Sequence, residues 1–207
     1  GGVRSNDLSF ASLQNPLIAV TVTDPGPPGF LDTQNAGFRM QISEDTTGAS
    51  VVNPKMILNF GAFAGLTDYY LDLQVYEGVS GAWAGRHVHV FGSRTAGQHT
   101  LAVHRDASDN LLFYFDDSLV YSITPADTTN DPSFTTGLSL DTAFSWDRVE
   151  LSGWLLDAFD PPDDAASITF HSFSATEIPE PSSIILAGLA LVGMAGCAVR
   201  RRRNVNR

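Results

Sequence analysis

Eighteen consecutive residues without a charge, 182–199, closed by four arginines in a row, divide this chain into two parts suited to different solvents. Ser182 and Ser183 lead into a run of Ile, Leu, Ala, Gly, Val, Met and Cys, and Arg200, Arg201, Arg202 and Arg203 follow it. As a helix rising 1.5 Å per residue the run reaches roughly 27 Å, close to the roughly 30 Å hydrocarbon core of a bilayer. A helix satisfies its own backbone donors and acceptors, so it can sit in lipid. Pro181, just ahead, suits a helix start and separates the span from what precedes it. The arginines, with Arg207, stay on the cytoplasmic side by the positive-inside tendency, which puts the rest of the chain outside. A single C-terminal transmembrane helix over 184–199 and a basic cytoplasmic tail over 200–207 are therefore expected. A buried core helix would not end in an arginine cluster, whereas an uncut anchor has the same hydropathy.

The order of parts separates an anchor from a signal. Ile178-Pro179-Glu180-Pro181-Ser182-Ser183, then the Gly/Ala/Leu-rich span, then the arginines, resembles the PEP-CTERM sorting signal of bacterial exported proteins. The same signal is catalogued as the ice-binding-protein C-terminal domain. The resemblance implies that Pro179, Glu180 and Pro181 are recognised by an exosortase, a membrane-embedded cysteine protease-transpeptidase. It implies that Arg200, Arg201, Arg202 and Arg203 are the stop signal, with 178–183 as linker and sorting motif. Before processing the protein would be held in the inner membrane; afterwards it would reach the cell surface or extracellular matrix. Ice binding, suggested only by the alternative name, would call for regular Thr-rich repeats that the chain lacks.

Residues 1–177 are long enough for one domain with a real core. They hold 22 acids against seven Lys/Arg, a formal charge of −15, so phosphate backbones find few cations to displace their counterions. No nucleic-acid partner is expected. Cys197 is the only cysteine and lies in the apolar run, so the exported part has no disulfide and depends on packing or on a bound metal. Export requires a signal peptide, yet the chain opens Gly1-Gly2-Val3 without Met or an apolar h-region, so a processed or truncated start is expected.

Before the tail the sequence has no amphipathic helix. Short segments alternate apolar and polar residues and are broken by Gly, Pro, Asn and Asp. Residues 38–43, 71–76 and 86–91 alternate in this way, the last with Val88 and Val90 on one face and His87 and His89 on the other. Further strands are expected at 56–60, 138–140 and 168–173. The clearest unit is 99–123, three strands joined by turns at 108–110 and 116–118. Many short strands at this spacing indicate an all-β antiparallel β-sandwich.

Arg105-Asp106, a turn, the aromatic strand Phe113-Tyr114-Phe115 and a second Asp turn resemble the concanavalin A-like lectin/glucanase fold, particularly its laminin-G-like type. Asp117-Ser118 stands where that grammar has Asp-Gly. The resemblance implies a jelly roll over 1–177, closed by the strand that runs into the sorting signal.

Catalytic patterns are missing. Glycoside hydrolases of this fold need two carboxylates flanking the scissile bond, often as Glu-x-Asp-x-x-Glu on one strand, and no such run occurs. There is no Gly-x-Ser-x-Gly and no Gly-rich phosphate loop. No enzymatic activity is expected. His87 and His89 have the spacing of a metal-binding pair that His99 or His104 would complete, or they simply face solvent. Asp157, Asp160, Asp163 and Asp164 crowd the acidic loop 155–166, a place for calcium if the loop does more than face water. Sugar rings stack on exposed aromatic faces. Tyr69, Tyr70, Trp83 and Trp154 lie in or beside turn-like segments, and Trp83 has Gly and Ala neighbours that would leave its ring uncovered. The alternative is that these rings cap the core edge.

The expected function is a non-catalytic exported module, lectin-like or structural, whose partner beyond the exosortase is extracellular polysaccharide. A glycoside hydrolase acting on matrix polysaccharide, and a structural matrix protein without small ligand, are the alternatives.

Overall fold

A computed structural model of the chain describes residues 2–4, 13–27, 36–44, 56–62, 66–77, 82–155 and 168–178. Among them are eleven strands and no helix: β1 Gly2–Arg4, β2 Pro16–Asp24, β3 Ala36–Ser43, β4 Met56–Ala62, β5 Asp68–Glu77, β6 Ala82–Ser93, β7 Gly97–Arg105, β8 Leu111–Phe115, β9 Ser118–Ile123, β10 Arg148–Leu155 and β11 Thr169–Glu177. They form two antiparallel sheets, β1-β10-β3-β4-β5-β6 and β11-β2-β7-β8-β9. The expected antiparallel sandwich is present. The expected transmembrane helix falls outside the described residues, among which no helix is long and apolar enough to cross a membrane.

Alternation in sequence becomes alternation in burial. Along β2 every second residue is buried, and Ile18, Val20 and Val22 point into the core. Phe38, Met40 and Ile42 of β3, Leu58 and Phe60 of β4, and Leu71 and Leu73 of β5 meet them from the first sheet. Leu101 and Val103 of β7 and Leu111 and Phe113 of β8 complete the opposite wall. Phe60 and Phe113 touch across the gap edge to face, their centroids 5.5 Å apart. With no cysteine in this part of the chain, such contacts supply the stabilisation that disulfides would otherwise add.

The meander over 99–123 is β7, β8 and β9. Its second turn is Asp116-Asp117, both at positive φ (47° and 63°), with Phe115 facing Ser118 across a two-residue loop. A tight hairpin of this kind needs left-handed backbone at both loop positions because that twist matches the strands. Aspartate tolerates this conformation less well than glycine. Asp117→Gly is therefore expected to stabilise the domain by about 0.5 kcal/mol; a urea midpoint that stays put or falls would reject this account of the turn.

One expected strand is absent. Residues 138–140 contribute a single bridge, Thr128 to Ser139, inside the strap 124–147 that links β9 to β10. Instead of extending, the strap sends Leu140, Phe144 and Trp146 into the core, and Arg105 Nη1 donates to the Phe144 carbonyl at 2.7 Å.

Candidate functional site

The face of the first sheet turned away from the second carries polar side chains in register. Glu150, Gln41, Asn59 and Asp72 lie side by side across β10, β3, β4 and β5. Alternation would send these residues to water, yet Asn59 and Asp72 are each 1% exposed. Asn59 Nδ2 donates to Asp72 Oδ1 at 2.9 Å, Gln74 Nε2 to Asp72 Oδ2 at 3.0 Å, and the Tyr76 hydroxyl to Gln74 Oε1 at 3.1 Å. Burial pushes the Asp72 carboxyl above its usual range, opposed by the Asn59 and Gln74 donors and then by Arg86 and Arg39. The chain Asn59–Asp72–Gln74–Tyr76 thus fixes the Tyr76 ring from behind.

Tyr76 leads to the exposed end of the row. A bulge between Val75 and Tyr76 brings Tyr76 opposite Trp83 of β6. The Trp83 ring is 44% exposed, with Tyr76 edge-on at 5.7 Å and Phe134 of the strap at 5.5 Å. Arg86 lies over the Phe134 ring at 5.6 Å, and its Nε is 2.6 Å from Asp131 Oδ2. The backbone N–H of Ser133 is foremost in holding the Asp131 carboxyl below the usual range.

The strap is held to the free edge of β6 as a further strand would be. Asn130 Oδ1 accepts from Val88 N at 2.7 Å, Asn130 Nδ2 donates to Val88 O at 3.0 Å, and Thr135 N donates to Ala84 O at 3.1 Å. Gly85 makes the approach possible: a Cβ there would meet Thr135 O at 2.5 Å. Sequence reasoning singled out Trp83 and missed Tyr76, Phe134, Arg86 and Asp131. Phe134 comes from a segment distant in sequence, and only the docked strap brings it to Trp83.

Two expected aromatic faces are withdrawn. Tyr69 is 2% exposed, packed on Phe115 at 4.5 Å and Phe91 at 5.8 Å, and its hydroxyl donates to the Thr95 carbonyl. Burial is the main cause that pushes its phenol up to about 12. Tyr70 points to the other face but is 3% exposed, and burial raises its phenol further still. Neither offers a ring to a ligand. Trp154 sits in β10 opposite Gly37, and its side chain lies outside what is described.

The histidines are turned the opposite way from a solvent-facing pair. His87 is 5% exposed, while Val90 on the alternate face is 58% exposed. His87 Nδ1 is 2.7 Å from the Thr128 carbonyl, which only accepts, so Nδ1 donates and Nε2 is left to accept from the Tyr121 hydroxyl at 3.1 Å. Both ring nitrogens are thereby engaged within the protein rather than aimed at a metal. His89 stacks on Tyr121 at 3.7 Å, joining the edge of β6 to the edge of β9. Among the described residues no three His, Cys, Asp or Glu side chains converge to hold a metal ion. Asp160, Asp163 and Asp164 lie outside the described residues, as do Pro179, Glu180, Pro181, Arg200, Arg201, Arg202 and Arg203.

Burial first, and His87 second, hold the His89 pKa below its ordinary 6.5. The folded state therefore resists a proton that the unfolded chain accepts. Its contribution is complete above about pH 6.5 and declines as the pH falls toward the folded value. Thermal midpoints are expected to drop between pH 7.5 and 5.5, less steeply in His89→Gln. Equal slopes in the two proteins would show that this edge does not titrate.

Residues 177–203 carry the PEP-CTERM protein-sorting motif. No curated protein matches the chain. Among solved structures, an alginate lyase from Pseudomonas aeruginosa is similar at 13% identity and TM-score 0.47, over 82% of this chain and 67% of that one. Lactose- and MES-liganded congerin II is similar at 11% identity and TM-score 0.47, over 85% and 98%. The globular domain of T. cruzi calreticulin is similar at 8% identity and TM-score 0.43, over 99% and 77%.

Proposed function

We propose that this chain is a non-catalytic glycan-binding module, exported and sorted through its C-terminal signal by an exosortase to the cell surface or extracellular matrix. In this reading 184–199 form the membrane helix until cleavage, and 200–207 remain in the cytoplasm. Trp83 carries the binding part: an exposed indole, braced by Tyr76 and Phe134, beside the polar pair Arg86 and Asp131. Such a surface suits a pyranose, whose C–H face stacks on the ring while its hydroxyls meet the charged pair. Trp83→Ala is expected to weaken polysaccharide binding roughly tenfold or more. Affinity electrophoresis of wild type and variant through polysaccharide-containing gels measures it. Equal retardation would remove the indole from the site, and no retardation of wild type in any gel would favour a structural matrix role.

A hydrolase reading has one observation in its favour. Two carboxyls flank Arg86 with their pKa values pushed apart, Asp72 up and Asp131 down. Against it, Asp72 is 1% exposed and has no open path to a scissile bond. Glu150, the other buried carboxylate of this face, is three strands away from Asp72 in register. At about 4.8 Å per strand that is roughly 14 Å, beyond the roughly 5–9.5 Å that glycosidase pairs span. Binding without turnover fits better.

A further inference from the structure

Resting on that reading, we infer that the Trp83 surface takes a neutral, hydroxyl-only pyranose chain and not a polyuronate or other anionic glycan. The charge arrangement carries the inference. Among the described residues Arg86 is the cation that borders the platform, and it is already engaged: its Nε is 2.6 Å from Asp131 Oδ2 and its Nη1 is 4.0 Å from Asp72 Oδ2. A ligand carboxylate would have to displace Asp131, whose oxygens also accept from the Ser133 backbone, or lie against it. Arg39 of β3 aligns across β4 and β5 with Val90 rather than with Trp83 or Arg86, and its charge acts on Asp72 and on the Tyr76 hydroxyl from the β3 side. Arg39 Nε donates to Ser152 Oγ at 3.2 Å on the far side from the platform. Long-range charge points the same way. Residues 1–177 carry a formal −15, which repels a polyanion before contact.

A neutral sugar meets none of these costs. Its C–H face lies on Trp83, and its hydroxyls both donate and accept, so one diol can bridge the Asp131 carboxylate and the Arg86 guanidinium without separating them. The aromatic ring supplies contact area, and the ion pair supplies orientation.

The test uses the full chain in detergent micelles against laminarin, cellohexaose and mannan, and against alginate and polygalacturonate, at low and high salt. Affinity and the tryptophan fluorescence shift are both read. Binding to at least one neutral chain that changes little with salt and falls roughly tenfold in Trp83→Ala is the expected result. If Trp83→Ala fails to fold, Trp83→Phe, with its smaller ring, is expected to bind with intermediate affinity. Asp131→Asn is expected to gain salt-sensitive binding of polygalacturonate, because it releases the Arg86 charge. Wild-type binding to alginate or polygalacturonate in preference to every neutral chain overturns the ligand class and leaves glycan binding standing. No binding to any of the five overturns the glycan-binding reading itself.

Discussion

Replacing Arg94 with methionine is expected to cost the domain about 3–5 kcal/mol, because it strands a carboxylate in the interior. Arg94 Nη2 donates to Asp24 Oδ1 at 2.6 Å and Nε to Asp24 Oδ2 at 3.1 Å, and both side chains have zero exposure. Asp24 ends β2 in the second sheet, and Arg94 follows β6 in the first, so the pair ties the two layers together at one end. The remaining groups are satisfied in place: Gly26 N donates to Asp24 Oδ1 at 2.8 Å, and Arg94 Nη1 to the Leu66 carbonyl at 3.3 Å. Such a loss is large against the roughly 5–15 kcal/mol that hold a typical domain folded. Asp24→Leu alone is expected to cost a similar amount, since it leaves the guanidinium buried instead. The double variant is expected to recover much of the loss, because two apolar side chains need no desolvated partner. Urea unfolding of the four proteins gives the coupling directly. Single variants that each cost under about 1 kcal/mol would show that solvent reaches this pair after all.

Alternation told where strands run but not which face turns inward. In β6 it separated Val88 and Val90 from His87 and His89, and the ordinary preference for apolar burial would put the valines inside. The packing is reversed: β6 is an edge strand, and its inner face meets Tyr121 of β9, an aromatic hydroxyl that suits imidazoles better than valines. The meander β7–β9 was legible because its turns and partners are local. Strands β1, β2 and β10 carry no such local mark; β2 pairs with β7 and β11, neither of them near in sequence, so no hairpin turn announces it. The buried row Gln41, Asn59, Asp72 and Gln74 was illegible for a related reason, since polar residues at alternate positions normally signal water. Trp83 was visible from its small neighbours. Its companions required the strap.

Replacing Pro179, Glu180 and Pro181 with alanine is expected to leave the protein uncleaved and in the membrane. The motif at 177–203 begins where the last described strand ends. Glu177 is the last residue of β11, paired with Pro16, and its Oε1 accepts from Gln14 N at 2.7 Å. One residue later Ile178 N still donates to the Asn15 carbonyl at 3.2 Å. Beyond it come Pro179 and Pro181, which lack the N–H that a sheet ladder would use. In the proposed reading the charge-free run that follows, long enough as a helix for about 27 Å of lipid, is the anchor, and the arginines stay on the cytoplasmic side. In that reading alanines at 179–181 retain the anchor and remove what an exosortase would read, so processing is expected to fail while insertion persists. Fractionation of cells expressing wild type and variant, with the mass of each species, measures the outcome. A shortened form released equally from both would mean that the body leaves the membrane by another route. A second variant guards against general misfolding: alanines at 200–203 leave the Pro-Glu-Pro intact and weaken retention on the cytoplasmic side. If that protein passes outward uncleaved while the 179–181 variant stays in the membrane, then recognition and stopping are separate functions of one short tail.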